Sequence, residues 1–141
     1  MLESRGGLFD LVVADLYCGS GAMGIEAMSR GAAKVYFVDS DPACLAAARA
    51  NLEPLQMDGE ALFVRATLPV WQPMGDLDLV LADPPYGPLD LESVLEDVKA
   101  SRIIIENDRH MEAPQGWIVT KTKRYGTTLV TMLEPCEGED E

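Results

Sequence analysis

Positive charge is scarce in this chain: 11 Lys and Arg stand against 24 Asp and Glu over 141 residues, a formal net charge of −13. That balance is poor for a protein that grips a polyanion through bulk charge. The densest basic cluster is Lys121, Lys123 and Arg124, which reads either as a phosphate contact or as an ordinary solvated hairpin face. Histidine is reduced to His110, in the polar stretch Asn107-Asp108-Arg109-His110 with no second ligand at metal spacing. It reads as a solvated loop residue. Cys18, Cys44 and Cys136 are odd in number, scattered and without a CxxC pair, which argues against a disulfide framework or zinc site and fits a reducing cytoplasm. No apolar run is long enough to span a bilayer, and no basic region leads into an apolar one, so secretion and membrane insertion have no support. Internal repeats and Gly/Ser linkers are lacking as well, and one domain is expected.

What is present is a 48% hydrophobic composition, enough to bury a core without a metal or disulfide. Short apolar runs alternate with helical patterns. Strands are expected at 11–17, 34–38, 61–65, 78–83 and 102–106, and helices at 22–30, 42–53 and 89–99. Runs that are apolar throughout suit a parallel sheet covered on both faces. Asp41-Pro42 supplies an N-cap and a first-turn proline for the second helix, with Leu45, Ala48 and Leu52 on one stripe. After Ile103-Ile104-Ile105 the pattern changes. Trp117-Ile118-Val119 and Leu129-Val130-Thr131-Met132 flank a turn at Tyr125-Gly126 and read as a closing antiparallel hairpin. Trp71 and Trp117 read as packing residues. A domain over 1–133 followed by an acidic, flexible tail over 134–141 is the expected organisation.

Two motifs carry chemistry. The first is Asp15-Leu16-Tyr17-Cys18-Gly19-Ser20-Gly21-Ala22-Met23-Gly24, placed between the apolar run Leu11-Val12-Val13-Ala14 and the helical pattern Ile25-Glu26-Ala27-Met28. Glycines at a strand-to-helix turn remove Cβ atoms where a ligand must approach the backbone. By letters this fits the GxGxxG dinucleotide fingerprint, and Asp39 stands close to twenty residues on, at the end of a second strand, where it suits ribose hydroxyls. The second motif is Asp83-Pro84-Pro85-Tyr86, directly after Leu79-Val80-Leu81-Ala82. Proline fixes φ and has no N–H to donate, so the backbone presents acceptors rather than folding back on itself. Asp83 and a Pro84 carbonyl can accept both hydrogens of an exocyclic amine, which leaves its nitrogen more nucleophilic, while Tyr86 offers a stacking face. The bland reading is a Pro-Pro turn that happens to start with Asp. A nicotinamide-dependent dehydrogenase gives this second motif no role. Both motifs open at the carboxyl edge of the expected sheet, and if their strands are neighbours, cofactor and target meet in one crevice.

Taken together, these residues resemble the class I S-adenosylmethionine-dependent methyltransferases, and within them the RsmD-type family that methylates the exocyclic N2 of a guanine in bacterial 16S ribosomal RNA. DLYCGSGAMGIEAMSRG, Asp15 to Gly31, is similar to that family's glycine loop and following helix; DPPY is similar to its catalytic motif; Arg124-Tyr125-Gly126-Thr127-Thr128 looks like its last hairpin. The resemblance implies an α/β, doubly wound, mostly parallel seven-stranded Rossmann-like methyltransferase sheet closed by a carboxy-terminal antiparallel hairpin. It implies S-adenosylmethionine as cofactor, held by Asp15, Tyr17, Gly19, Ser20, Gly21, Asp39, Ser40, Ala66 and Thr67. Gly19 and Gly21 would meet the methionine part, Asp39 the ribose, and Ala66-Thr67 would border the adenine. Asp83, Pro84, Pro85 and Tyr86 would hold the target amine. The implied partner is ribosomal RNA or an assembling small subunit, with a cytoplasmic monomer as the expected form. DPPY is shared with enzymes acting on adenine in DNA or glutamine in protein, so those targets stay open, as does a core that binds the cofactor without turnover. Members of the family carry a basic, helical amino-terminal segment, of which this sequence would lack most, since only about ten residues precede the first strand.

Overall fold

The computed structural model describes residues 8–67, 75–82, 100–107 and 112–136. Their order is β1 (Val12–Leu16), α1 (Ala22–Ser29), β2 (Lys34–Asp39), α2 (Pro42–Leu52), a 3-10 turn (Glu53–Leu55), β3 (Glu60–Arg65), β4 (Leu79–Ala82), β5 (Ile103–Asn107), β6 (Trp117–Tyr125) and β7 (Thr128–Pro135). The strands form one seven-stranded sheet in the order β3-β2-β1-β4-β5-β7-β6. β1 to β5 run parallel, and β7 enters antiparallel between β5 and β6. The doubly wound α/β fold with a closing hairpin is therefore as the sequence implies. β1 lies between β2 and β4, so the strand order reverses at the two strands that carry the motifs.

The all-apolar runs are explained by cover on both faces. Val13, Val35, Phe37, Leu79, Leu81, Ile104 and Val130 form one core with Ala27, Met28, Leu45 and Ala48 of α1 and α2. Ala14, Leu16, Val38, Val80, Ala82, Ile103, Ile105 and Leu133 form a second, with Trp117 packed partly against it. Asp41 caps α2 through the Ala43 N–H at 2.9 Å, with Pro42 in the first turn. α1 ends where Gly31 takes φ of 101°, a left-handed exit that suits glycine.

Strand and helix limits shift from the expected ones by a residue or so, except in the hairpin, which is much longer than the two apolar stretches indicated. β6 extends to Tyr125 because it is an edge strand, whose alternate exposed positions are polar or charged and carry no apolar signal. The turn is Gly126-Thr127, with Gly126 at φ of 63°, one residue later than expected and with glycine first, as tight hairpins favour. β7 continues through Pro135, where Glu134 pairs with Ile118 and reaches Arg102 at 3.6 Å; the ordered sheet thus runs past 133. The expected helix over 89–99, Trp71, His110 and the tail beyond 136 lie outside the described residues.

Candidate functional site

At the carboxyl edge, β1 delivers a turn in which Tyr17, Gly19 and Gly21 all have positive φ, at 58°, 54° and 85°. A tyrosine held there is strained by about 1–3 kcal/mol, a cost that persists only when neighbours fix the backbone. The fixing is visible. Cys18 N–H donates to the Val38 carbonyl at 3.1 Å, splicing the turn onto β2, and Gly21 N–H closes onto the Cys18 carbonyl at 2.8 Å. From α2, the Asn51 side-chain amide donates to the Ser20 carbonyl at 3.0 Å.

Three glycines of the turn have three different neighbourhoods. A Cβ on Gly19 would meet nothing within 4 Å, whereas one on Gly21 would lie 2.9 Å from Ala48 Cβ, and one on Gly24 would lie 2.4 Å from the ring of Phe37. Gly19 thus faces open space. Gly21 and Gly24 let α1 and the turn sit down on Phe37 and α2, and Phe37 is itself stacked on Phe63 at 5.0 Å.

The acids divide in the same manner. Asp15 is 1% exposed, and its Oδ2 accepts from the Gly24 N–H at 2.9 Å. α1 has no side-chain cap of its own, so this buried carboxylate satisfies one of its orphan N–H groups and favours the positive helix end. Asp39, half-buried at the end of β2, accepts from Gly19 N–H through Oδ2 and from Asp41 N–H through Oδ1, both at 3.0 Å. A carboxylate has about four lone-pair sites, so each oxygen keeps capacity toward the open side. Ser40 and Ser20 are exposed there. Ala66 N–H donates to the Asp39 carbonyl at 3.0 Å, which sets Ala66 and the exposed Thr67 beside the same acid. All nine residues implied for the cofactor therefore gather at one edge, with Asp15 buried beneath it. Asp83 to Tyr86 lie outside the described residues; the strand before them, β4, pairs directly with β1, Leu16 opposite Ala82.

Cys18 adds an electrostatic readout. Burial, then the nearby carboxylates of Asp15 and Asp39, push its thiol up to about 12, so it is a neutral packing group and not a nucleophile. The sequence did not single out Phe37 or Asn51 and read Ala48 only as part of a helix stripe; these residues shape the turn from 13 to 31 residues away, and only the three-dimensional packing reveals it. Among the described residues there is no cluster of metal-ligating side chains, and no helix is long and apolar enough to cross a membrane.

An open-faced glycine beside an acid with spare acceptor capacity fits the amino-acid and ribose parts of S-adenosylmethionine, and comparison with known proteins agrees. The family model described as "Conserved hypothetical protein 95" matches residues 2–134. "Putative rRNA methyltransferase YlbH" of Bacillus subtilis is 29% identical over 135 residues, covering 85% of this chain and 73% of that protein. A ribosomal protein L11 methyltransferase of Cellvibrio japonicus is 42% identical over 80 residues, which is 57% of this chain and 26% of that protein. Among solved structures, the Escherichia coli "putative methyltransferase yhhF" superposes with a TM-score of 0.78 at 27% identity, covering 91% of this chain and 78% of the other. The "putative methylase HI0767" of Haemophilus influenzae gives 0.76 at 25%, covering 92% and 89%. The chain belongs to the Conserved hypothetical protein 95 family and is an S-adenosylmethionine-dependent methyltransferase of the RsmD type.

Proposed function

We propose that this chain methylates the exocyclic N2 of a guanine in small-subunit ribosomal RNA. The observation that carries the reading is the sequence Asp83-Pro84-Pro85-Tyr86 leaving a wholly buried strand that pairs with the strand of the glycine turn. S-adenosylmethionine supplies an electrophilic methyl group. The chain's part is to hold and orient: Gly19 admits the ligand to the backbone, Asp39 receives the ribose hydroxyls, and Asp83 with the Pro84 carbonyl grips both hydrogens of the target amine while Tyr86 stacks on its ring. Orientation of this kind is worth roughly 7–11 kcal/mol in favourable intramolecular cases. A base in folded RNA has to be splayed out to arrive, at a cost of about a few kcal/mol. An RNA target is supported by the likeness to the Bacillus subtilis protein named "Putative rRNA methyltransferase YlbH", which spans most of both chains.

The ribosomal protein L11 methyltransferases support a second reading, an amine on a protein, but they match only about half of this chain and a quarter of their own length. Tritiated methyl transfer to naked ribosomal RNA, assembled small subunits, DNA and ribosomal protein, side by side, separates the readings. The expected result is label in small-subunit RNA, mapped to a guanine. Asp83→Ala is expected to abolish most transfer while S-adenosylmethionine affinity stays within a few-fold. Near-parental turnover by Asp83→Ala would reduce the motif to a structural turn and favour a cofactor-binding core without turnover.

A further inference from the structure

A chain of net charge −13 that acts on RNA needs a place where phosphates are welcome, and among the described strands β6 is the one that concentrates cations. Lys121, Lys123 and Arg124 are three of the 11 basic residues of the whole chain and all are exposed on this edge strand. Elsewhere among the described residues, several cations are neutralised: Arg30 by Glu26, Lys34 by Glu60, Arg102 by Glu134. The three on β6 meet no carboxylate among the described residues. Lys123 instead holds its ammonium over the Tyr125 ring, 5.2 Å from the centroid, and that tyrosine is 43% exposed. A cation joined to an exposed ring is the combination by which single-stranded nucleic acid is held without reading its sequence.

The register places this group at the height of the candidate site. Leu16 is opposite Ala82, Ala82 opposite Ile105, Ile105 opposite Thr131, and Thr131 opposite Thr122. Lys123, Arg124 and Tyr125 continue beyond that row on its carboxyl-edge side, the side to which β1 delivers the glycine turn. Laterally, β6 is three strands from β4 and four from β1, about 14 and 19 Å at the usual strand spacing. We infer that the edge of β6, through Lys121, Lys123, Arg124 and Tyr125, is the surface along which the RNA backbone is held while its target base enters the β1/β4 crevice. This rests on the RNA reading above and adds the place of contact.

The competing explanation is that lysines on an edge strand merely discourage sheet-to-sheet aggregation. The two differ in how the variants behave. The probe is a fluorescein-labelled single-stranded oligoribonucleotide, titrated by anisotropy through a salt series, with tritiated methyl transfer by the parent to RNA, DNA and protein run alongside. The triple variant Lys121→Gln/Lys123→Gln/Arg124→Gln is expected to bind at least tenfold more weakly and to lower the slope of log affinity against log salt by about 2, at about 0.7 for each phosphate that is no longer neutralised. Tyr125→Ala is expected to weaken binding roughly tenfold with the slope unchanged, since stacking carries no counterion. S-adenosylmethionine affinity, unchanged in every variant, reports that the fold is intact. If the parent uses RNA and the triple variant binds the oligoribonucleotide with parental affinity and slope, the inference is overturned, and self-association of that variant would assign the lysines to edge protection. A parent that neither binds nor methylates RNA but labels DNA or protein overturns the RNA reading, and the surface falls with it.

Discussion

Alanine at each of the three turn glycines separates ligand access from folding. At Gly19 the added methyl meets no atom within 4 Å, and the φ of +54° is near the centre of the left-handed well. Only the backbone penalty applies, roughly 1–2 kcal/mol, a minor part of a typical stability of about 5–15 kcal/mol. At Gly24 the φ is ordinary, so alanine gains up to about 1 kcal/mol of helix propensity. Against that, its Cβ falls 2.4 and 2.9 Å from two ring carbons of Phe37. Phe37 is fully buried and stacked on Phe63 with an interplanar angle of 11°, so it has little room to turn, and overpacking costs about 1–3 kcal/mol. At Gly21 both penalties act, a φ of +85° and a Cβ 2.9 Å from Ala48 Cβ, for roughly 2–5 kcal/mol. Urea denaturation is therefore expected to show the largest loss at Gly21, with smaller and comparable losses at Gly24 and Gly19. Calorimetry with S-adenosylmethionine on the folded variants is expected to single out Gly19→Ala, whose methyl occupies the open space where the ligand nears the backbone. Parental affinity in Gly19→Ala, or parental stability in Gly21→Ala, would refute the division of roles.

Asp39→Ala removes the acceptor for Gly19 and Asp41 N–H and, on the function proposed above, for a ribose, so cofactor binding is expected to weaken by about 1.5–3 kcal/mol, the range for bonds to a charged group, with circular dichroism unchanged. Full affinity in a folded variant, read by calorimetry, would move the ribose contact to Asp41. Cys18 is expected to resist iodoacetamide at a pH where Cys44 and Cys136, both part-exposed, are labelled, as peptide mapping reads. Because its folded value is raised from 9.0 to about 12, the protein holds this proton when the unfolded chain has released it. Stability is therefore expected to be untouched below pH 9 and to fall between pH 9 and 12, and Cys18→Ala is expected to flatten that decline.

The alternation of apolar runs and helical stripes made the parallel sheet legible, since strands buried on both faces carry few polar residues and Leu79-Val80-Leu81-Ala82 has none. The order of strand, glycine turn, helix, strand and acid also fixed where Gly19 and Asp39 would stand. The division of labour within the turn was not legible. Gly19, Gly21 and Gly24 are the same letter, and only the approach of Ala48 and Phe37 from other elements makes two of them packing positions. Likewise Asp15 and Asp39 both stand at the carboxyl ends of strands next to the turn, and only burial and the bond from Gly24 N–H give the first to α1. The length of β6 beyond Val119 was hidden for the opposite reason: an edge strand exposed along almost its whole length has no core to write a periodic signal into it.

The electrostatic arrangement resolves the conflict between an acidic chain and an RNA target. Burial first, and then the carboxylates of Asp15 and Asp39, raise the Cys18 thiol; the carboxylates' part of that effect is a negative field at the glycine turn, which favours a cation such as a sulfonium. The same field repels phosphate. Placing the basic strand about 14–19 Å from β4 and β1 puts the two surfaces farther apart than the screening length of about 8 Å at physiological salt. The acidic turn can then attract a cationic cofactor without driving away a backbone held on β6, and only the target base, which carries no charge, has to cross from one field into the other.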